Sequence, residues 1–393
     1  MSVRMSMAAL ELSCASAPAV AITGWAMRTP LGGTRDTWDA LVRGEFIRDH
    51  ARVPVAYEPG ARRAVRLAVD VARECWQGGD TSDSAVVVGT SKGPVEAWLA
   101  EPPQQDSSPL PHISISPYVA GGLHPAGLAE LSAAIASDLG ITGPRLTLSA
   151  ACASGLHALI RGAMMIRARE VRRVLVVAAE SSVHPLFLGS FQRLGVLPKA
   201  GVGCRPFDRG RDGFLMSEAA AAVLLEAREP TADTSTNGPG SSVLVERFAM
   251  GGDATHITAG DPAGRLLRHL LARVLDGRPV DLVHAHGTGT IMNDAMELAA
   301  IEDTLCAACD PPSLYSHKGA LGHSLGAAGL IAVALNCEMH GRGLVPPNCQ
   351  THDPLPHGRV LIDTRPRARP ISRSIALAAG FGGAMAVVSL ASR

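Results

Sequence analysis

The amino-acid sequence predicts an α/β fold made of two halves that pack in layers around mostly buried sheets. Runs rich in Val, Leu and Ile alternate with helical runs along the chain. Residues 231–242 interrupt this alternation with Thr, Asn, Gly, Pro and Ser, which is the composition of a linker. The helix predicted to begin at Ser154 is apolar on nearly every face, which indicates that it lies between sheets.

The elements of the first half follow from this alternation. Strands are predicted where aliphatic and β-branched residues run together, at 19–23, 84–89, 145–149 and 173–179. Helices are predicted between them, at 38–43, 61–76, 127–137 and 154–169. We assign residues 19–235 to an N-terminal half. Residues 1–18 are predicted to be a disordered extension rather than a signal peptide, because Glu11 interrupts their Ala-rich patch.

The second half, residues 243–393, shows the same alternation. Strands are predicted near 243–249, 282–285 and 374–379. Helices are predicted at 263–275, 294–307 and 324–340. No short-period repeat is visible in the sequence, and a duplication of the halves stays an open alternative at this point.

Composition restricts the class of protein. Apolar residues make up 47% of the 393 residues, enough for a large core, and no apolar run reaches the roughly 18 residues of a membrane span. Lys+Arg and Asp+Glu balance at 36 each, so the charge does not favour nucleic acid or an anionic membrane as partner. Eight irregularly spaced cysteines indicate reduced thiols in a cytoplasmic protein, and the single CxxC of Cys306 and Cys309 is interpreted as packing.

One thiol stands out where the strand predicted at 145–149 gives way to the helix from Ser154. Cys152 lies in a turn of small residues, Ser-Ala-Ala-Cys-Ala-Ser-Gly. The unpaired N–H groups and the positive end of the helix dipole favour thiolate over thiol at such a helix N-terminus. We therefore predict that Cys152 is a nucleophile that accepts an acyl group.

A second candidate segment is HAHGTGTIMNDAMEL, in which a strand ends at His286. Ligands bind at the carboxyl ends of strands in α/β proteins, and Thr288 and Thr290 offer hydroxyls to a polar ligand chain there. Asp294 and Glu297 match an N-cap with a box-like partner, so a purely structural role for Glu297 is one interpretation.

Two Gly-rich segments complete the set of candidates. In SHKGALGH, His323 stands at the start of a buried helix, five residues after Lys318. In AAGFGG, a strand ends at a loop around Phe381 whose backbone N–H groups could point into a cavity.

Each segment also has a plainer interpretation. A lone histidine in an apolar stretch is more often a core residue, and His284 with His286 could be half of a metal site. No spaced set of Cys or carboxylate ligands completes such a site, so we predict no metal. Asp253 and His256, in GGDATHIT, are either a turn cap and a surface imidazole or supporting groups of the site.

Taken together, the segments resemble the β-ketoacyl-acyl-carrier-protein synthases of the thiolase superfamily, and the type II polyketide and polyene ketosynthases most. The resemblance runs from residue 19 to residue 390 and rests on six motifs: AITGWAMRTPLGG, LSAACASG, RPFDRGRDGF, HGTGT, KGALGH and GFGG. It implies the thiolase-like layered fold, α-β-α-β-α, with two similar halves around buried helices.

The resemblance also implies a reaction, decarboxylative Claisen condensation. Cys152 would take an acyl chain from a carrier-protein thioester. His286 and His323, as neutral donors, would stabilise the enolate that malonyl leaves when it loses CO₂. The backbone N–H groups of Cys152 and Phe381 would form the oxyanion hole for attack on the acyl-Cys152 carbonyl, with Phe381 also gating the acyl pocket.

Supporting roles are implied for four further residues. Lys318 would orient the site electrostatically through Glu297, and Thr288 and Thr290 would hydrogen-bond the phosphopantetheine arm. That arm belongs to the acyl carrier protein, so the resemblance implies no metal or cofactor of the chain's own. The expected partners are an acyl carrier protein and a second subunit, identical or of the chain-length-factor kind.

The chain departs from the family pattern at several positions, which leaves the choice of substrate open. Ser217 and Ala219 replace two glycines of the usual Gly-Glu-Gly-Ala, and Met385 stands where Asn is usual after GFGG. The segment before residue 61 is short, which trims the expected carrier-protein platform. Four arginines could still meet an acidic carrier, although a solvated helix face explains the first three equally well: Arg62, Arg63, Arg66 and Arg205.

Four other functions are compatible with parts of the sequence. A non-catalytic partner subunit would lack the nucleophile, whereas Cys152 is present with both histidines. A thiolase would carry a second cysteine in a Gly-rich C-terminal loop, and no cysteine follows Cys349. An enzyme of the Cys-His-Asn type would have Asn in place of His323. A ketosynthase-like acyltransferase without decarboxylation would need the same Cys152 and stays the main alternative.

Overall fold

The computed structural model describes residues 17–57, 62–95, 127–229, 243–258, 260–306 and 310–392. The extension predicted at 1–18 and the linker predicted at 231–242 therefore lie almost wholly outside the described residues. Within them, no helix is long and apolar enough to cross a membrane.

The first half contains six strands and five helices among the described residues. The strands are β1 (Ala19–Thr29), β2 (Gly32–Gly33), β3 (Ser84–Gly89), β4 (Arg145–Leu148), β5 (Arg173–Glu180) and β6 (Ala219–Arg228). The helices are α1 (Thr34–Val42), α2 (Arg63–Cys75), α3 (Ala129–Leu139), α4 (Ser154–Arg167) and α5 (Pro185–Arg193).

The second half adds seven strands and four α-helices in the described part of the chain. The strands are β7 (Val243–Gly252), β8 (Leu282–His284), β9 (Ser313–Tyr315), β10 (Leu344–Val345), β11 (Arg367–Ala368), β12 (Arg373–Ala379) and β13 (Ala384–Ser392). The helices are α6 (Arg265–Leu275), α7 (Ile291–Thr304), α8 (Lys318–Leu321) and α9 (Ala328–Arg342), the last preceded by a 3₁₀ turn, Leu325–Ala327.

The two halves repeat one topology. The main sheet runs β4-β3-β5-β6-β1-β7-β13-β12-β8-β9, with β2 added to β1. Setting aside the short β2, β10 and β11, each half orders its five strands third, second, fourth, fifth, first. The directions also agree: the first three strands in that order are parallel, and the last two are each antiparallel to their neighbour. The duplication that one sequence could not establish is thus visible in the fold.

The layers follow from which face each strand residue presents. Val86 and Val88 of β3 pack outward with α2 and α3, while Val87 packs inward with α4 and α9. In the second half Val283 of β8 packs outward with α6 and α7, while Leu282 packs inward. The order is therefore α-β-α-β-α, and the prediction that the helix from Ser154 lies between sheets is confirmed.

The longest elements that were not predicted are β6, β13 and α5, and several predicted boundaries were wrong. β6 and β13 are rich in alanine, which is not typical of strands, yet their small side chains suit an inner face on which buried helices pack closely. α5 begins at Pro185, a favourable first helical residue, in a stretch with little helical periodicity. The helix predicted from residue 294 begins three residues earlier, at Ile291.

Candidate active site

The nucleophile elbow combines a strained residue with a small-residue turn. Ala151 has φ +49°, in the left-handed region that non-glycine residues rarely adopt, and Cys152 follows it directly. The hydroxyl of Ser154, the first residue of α4, accepts the Ala150 N–H at 2.9 Å and lies 2.6 Å from the Ala151 carbonyl oxygen. These contacts hold the backbone in the conformation that presents the Cys152 thiol at the end of α4.

A cavity of about 660 Å³ opens above this elbow and is lined by both halves of the molecule. Cys152 comes from the first half. The second half contributes six of the predicted residues, and they reach the cavity from four separate segments. These are His256, His286, Thr288, Thr290, His323 and Phe381.

The two predicted histidines face each other at this cavity. The ring centroids of His286 and His323 lie 5.5 Å apart with the planes at 84°. Burial, reinforced by the charge of Lys318, holds the pKa of each imidazole well below its usual range, so both rings are neutral near pH 7. Phe214 packs edge-on against His323 at 4.9 Å. His323 Nδ1 is buried without a partner among the described residues, so no protein group occupies that nitrogen.

Lys318 and Glu297 both bind the backbone of His286. The Lys318 ammonium donates to the His286 carbonyl oxygen, and the Glu297 carboxylate accepts the N–H groups of His286 and Gly287 at 2.6 and 2.8 Å. No direct ion pair between Lys318 and Glu297 occurs in the described structure. Burial raises the pKa of Glu297 to about 7 and lowers that of Lys318 to about 8.

Asp294 is not the helix cap that its spacing predicted. α7 begins at Ile291, so Asp294 lies within its first turn, and the carboxylate turns back to the preceding loop. It accepts the N–H groups of Phe207 at 2.8 Å and of Thr288 at 3.1 Å. The hydroxyls of Thr288 and Thr290 lie 2.9 Å apart, and both residues line the cavity.

The electrostatics of Cys152 differ from the expectation based on the helix dipole. Burial raises the pKa of the thiol to about 11. Lys92 and Lys318 act in the opposite direction, as does a hydrogen bond from the Phe381 backbone, while Glu180 adds to the rise. Burial is the larger effect, so the resting group near pH 7 is the thiol rather than the predicted thiolate.

The GFGG loop approaches Cys152 closely. A Cβ atom at Gly380 would lie 2.6 Å from the Ala150 carbonyl oxygen and 3.1 Å from the Cys152 nitrogen, so only glycine permits this contact. The loop thereby brings the Phe381 backbone N–H to the Cys152 thiol. A backbone donor held at the reacting sulfur atom is suited to an oxyanion that forms beside it.

Asp253 and His256 lie in different environments within one loop region. The Asp253 carboxylate accepts the N–H groups of Thr255 and Asp261 and so orders the loop between them, and its backbone N–H donates to the Gly383 carbonyl at 2.9 Å. His256 is exposed and lines the mouth of the cavity. Both are peripheral to the thiol.

His284 does not share a site with His286. Its Nδ1 lies 2.7 Å from the side-chain amide oxygen Oδ1 of Asn336 and its Nε2 lies 2.8 Å from His317 Nδ1, so both ring nitrogens are already bound. The interpretation of the two histidines as half of a metal site is therefore wrong. Of the CxxC pair, Cys306 is half-buried and Cys309 lies outside the described residues.

The four arginines do not form one docking surface. Arg63 binds the buried Glu218 at 2.7 Å and the carbonyls of Val53 and Val55, so its prediction as a docking residue is wrong. Arg62 pairs with Glu130. Arg66 is exposed on α2, while Arg205 is half-buried on a separate loop, where it donates to a neighbouring carbonyl.

The departures from the family pattern lie near the site without disrupting it. The N–H of Ser217 donates to the His323 carbonyl oxygen at 3.1 Å, which fixes the backbone of that histidine. Ala219 begins β6 and is buried. Met385 lines the cavity, which it makes more apolar than asparagine would.

Several site residues were missed in the sequence. Phe214 lies within a quoted motif, but its contact with His323 had no local signal. Lys92 follows a predicted strand and is one of only three lysines, a signal that could have identified it. The mouth of the cavity carries four exposed apolar side chains whose positions depend on the fold: Leu194, Ile257, Ile291 and Met292.

The chain is similar in sequence to several known proteins. The chain is 28% identical over 425 residues to the 3-oxoacyl-[acyl-carrier-protein] synthase 2 of Rhizobium meliloti, covering 94% of this chain and 98% of that protein. It is 28% identical over 335 residues to the protein of the same name from Mycobacterium leprae, covering 81% and 77%. It is also 28% identical over 267 residues to the tetracenomycin polyketide synthase ketoacyl synthase alpha subunit of Streptomyces glaucescens, covering 65% and 62%.

Solved structures show the same fold. One is a type II polyketide synthase acyl-carrier protein in complex with its ketosynthase bound to the hexaketide, with TM-score 0.81 and 22% identity over 96% of this chain and 100% of that one. Another is the ishigamide ketosynthase/chain length factor, with TM-score 0.77 and 25% identity over 96% and 100%. These neighbours confirm the predicted thiolase-like fold.

Family models match both halves. The model of the β-ketoacyl synthase N-terminal domain matches residues 61–231, and that of the C-terminal domain matches residues 243–352. Together they cover most of the chain, and they meet around the cavity that joins Cys152 to the two histidines. The chain therefore belongs to the β-ketoacyl synthase family.

Proposed function

We propose that this protein is a condensing enzyme that accepts an acyl chain on Cys152 and extends it with malonyl delivered by an acyl carrier protein. The observation that carries the proposal is the shared cavity, in which one thiol faces two neutral imidazoles across the joint between the halves. A nucleophile that holds one reactant beside donors that activate the other is what such a condensation requires.

Acylation comes first. The Cys152 thiolate attacks the thioester carbonyl, whose oxygen becomes an oxyanion between the N–H groups of Cys152 and Phe381. The bond to the pantetheine sulfur breaks, and that sulfur takes the proton that Cys152 gave up. Because Phe381 lies against Phe191 at a centroid distance of 6.2 Å, the aromatic ring can close the site beside the acyl chain.

Decarboxylation and condensation follow. Loss of CO₂ from malonyl places negative charge on the thioester oxygen, where a neutral N–H of His286 or His323 stabilises it better than it stabilises the uncharged ground state. The enolate carbon then attacks the acyl-Cys152 carbonyl. Cys152 leaves as a thiolate and is reprotonated, which completes the cycle without a redox change.

The carrier and the pathway belong to the same proposal. The hydroxyls of Thr288 and Thr290 line the same cavity as the thiol and would hydrogen-bond a phosphopantetheine arm that enters it. The Streptomyces relative and the carrier-protein complex support a carrier-bound substrate of polyketide metabolism, and the 3-oxoacyl-[acyl-carrier-protein] synthases support a carrier-bound acyl chain as well. The ketosynthase/chain length factor neighbour supports a dimer, and native mass spectrometry would show whether its subunits are identical.

The test is intact-protein mass spectrometry with a panel of acyl-carrier proteins, followed by malonyl-carrier protein with detection of CO₂. We expect wild type to gain the acyl mass and then release CO₂ with the extended product. Cys152→Ala should gain no acyl mass. A wild-type protein that acylates and transfers to an amine or alcohol without ever releasing CO₂ would instead identify the acyltransferase.

A further inference from the structure

Lys92 lies on a turn that hydrogen bonds hold against the nucleophile elbow. The turn follows β3, next to the strand that leads to Cys152. Thr90 Oγ1 donates to the buried Glu180 at 3.0 Å, and the Ser91 N–H donates to the same carboxylate oxygen. Ser154 Oγ lies 3.2 Å from the Thr90 carbonyl oxygen. The backbone that carries Lys92 is thus held against the first residue of α4.

The ammonium group of Lys92 points into the aromatic wall beside the site. It lies 5.1 Å from the ring centroid of Phe187 and 5.4 Å from that of Phe191. Phe191 in turn packs on Phe214 and Phe381, the rings next to His323 and Cys152. No described carboxylate lies within ion-pair distance of Lys92, so aromatic faces compensate its charge only in part.

Two cations act on the thiol, and Lys92 is the stronger. Burial raises the pKa of Cys152, and Lys92 lowers it more than the fully buried Lys318 does. The composition makes this placement unusual, because the chain has only three lysines, Lys92, Lys199 and Lys318, among its 36 basic residues.

We propose that Lys92 is a positioning residue for acyl transfer, whose ammonium stabilises the Cys152 thiolate both as nucleophile and as leaving group. The proposal rests on the condensing reaction proposed above. In acylation the thiolate forms the new S–C bond while the pantetheine C–S bond breaks. In condensation the S–C bond breaks and its electron pair returns to Cys152. In both steps negative charge on the sulfur is stabilised by the nearby cation.

The test measures the thiol without any substrate, so it is independent of whether the proposed condensation occurs. The rate of iodoacetamide alkylation at Cys152 is followed from pH 6 to 10 on the full chain by peptide mass spectrometry. Lys92→Met keeps the length of the side chain and removes the charge, whereas Lys92→Arg keeps the charge. Lys199→Met removes an exposed lysine that is not among the charges acting on Cys152 and is the matched control.

We expect Lys92→Met to lower the rate of alkylation at pH 8 roughly tenfold, which corresponds to an upward shift of about one unit in the pKa of the Cys152 thiol. Lys92→Arg should retain most of the rate, and Lys199→Met should match wild type. If Lys92 only supports Phe187 and Phe191, Lys92→Met will lower the unfolding midpoint and leave the pH profile in place, which would overturn the proposal. A Lys92→Arg variant that folds but alkylates as slowly as Lys92→Met would overturn it too.

Discussion

Cys152 is buried among apolar side chains at the wall of the cavity, and two opposing effects set the reactivity of its thiol. Burial favours the neutral thiol, and the cations Lys92 and Lys318 favour the thiolate. With the pKa at about 11, only a small fraction is ionised at pH 7. Acylation should therefore require that the thiol loses its proton while a thioester carbonyl occupies the oxyanion hole.

His323 provides the first prediction at this scale. His323→Ala removes one donor to the enolate but leaves the thiol and both oxyanion N–H groups in place, so condensation should fall by about 10²- to 10³-fold while acyl-enzyme formation changes far less. The measurement is single-turnover acylation compared with CO₂ release. His269→Ala, on an exposed position of α6, is the control and should match wild type. Equal losses in both steps would contradict the assigned role.

The neutral state of the imidazoles gives a second prediction. Burial holds the pKa values of His286 and His323 well below 6.5, so neither ring gains a proton between pH 8 and pH 6. The rate of CO₂ release by the acylated enzyme, at saturating malonyl-carrier protein, should accordingly vary by no more than about twofold over that range. A group that titrates within the range would change its protonated fraction up to about tenfold for each pH unit. A rate that falls by half near pH 6.5 would show that a normally titrating imidazole is required.

At the scale of elements, the site depends on the crossing of α4 and α9. Each helix places a glycine against its partner: a Cβ at Gly155 would lie 2.9 Å from the Leu330 nitrogen, and one at Gly329 would lie 2.9 Å from the Leu156 side chain. The helices approach closely enough to bring Cys152, before α4, near His323, before α9. Small residues at this crossing therefore allow both the packing of the core and the approach of Cys152 to His323.

A pair of glycine substitutions tests this crossing. Gly155→Ala should destabilise the protein by about 1–3 kcal/mol, because the added methyl meets backbone atoms that cannot move aside. Gly341→Ala, in α9 with open space around it, should leave stability unchanged or raise it by up to about 1 kcal/mol. Urea denaturation measures both. A Gly155→Ala variant as stable as Gly341→Ala would show that the crossing tolerates a wider spacing.

The sequence predicted the elements where local pattern and burial agree. The Val-rich β3 and the apolar α4 were found because periodicity and composition point the same way there. The Ala-rich β6 was missed because its strand conformation depends on neighbours in the sheet rather than on its own residues. Asp294 was misplaced for a similar reason, since its carboxylate binds Phe207, which is distant in sequence.

The site itself was predicted through motifs, and the remainder needed three dimensions. Cys152, His286 and His323 each end or begin an element at a conspicuous motif. The partners of Arg63 and of Lys92 are set by packing between segments that no spacing rule connects. Sequence motifs therefore located the reactive groups, whereas the effects of burial and of neighbouring charges on them could be found only from the fold.

At the scale of the whole molecule, duplication explains why the site lies at the joint. Cys152 follows the third strand of the first half, and Lys318 and His323 follow the third strand of the second. The repeated topology brings these equivalent segments together where the two buried helices meet. Neither half alone contains both the nucleophile and the imidazoles, so activity requires the paired halves.

The same burial makes the stability of the whole molecule depend on pH. Burial lowers the pKa of His284 to about 3 and that of His340 to about 4, and it holds His286, His317 and His323 well below 6.5. An unfolded chain binds protons at these rings once the pH falls below about 6.5, whereas the folded chain does not. Stability contributed by the neutral rings is therefore lost as the pH falls from 6.5.

Buried carboxyl groups whose pKa is raised act in the opposite direction but are fewer: Glu218, Asp294 and Glu297. The pKa of Glu297 is raised to about 7 by burial, so its contribution is lost as the pH rises from about 4.5 towards 7. The five imidazoles outweigh these carboxyl groups, because each imidazole changes the free energy of unfolding by up to about 1.4 kcal/mol per pH unit. We expect a lower free energy of unfolding at pH 5.5 than at pH 7.0 in urea titrations, and a weaker loss in His284→Asn, which removes one titrating ring. Equal or greater stability at pH 5.5 would mean that the imidazoles reach solvent in the folded protein.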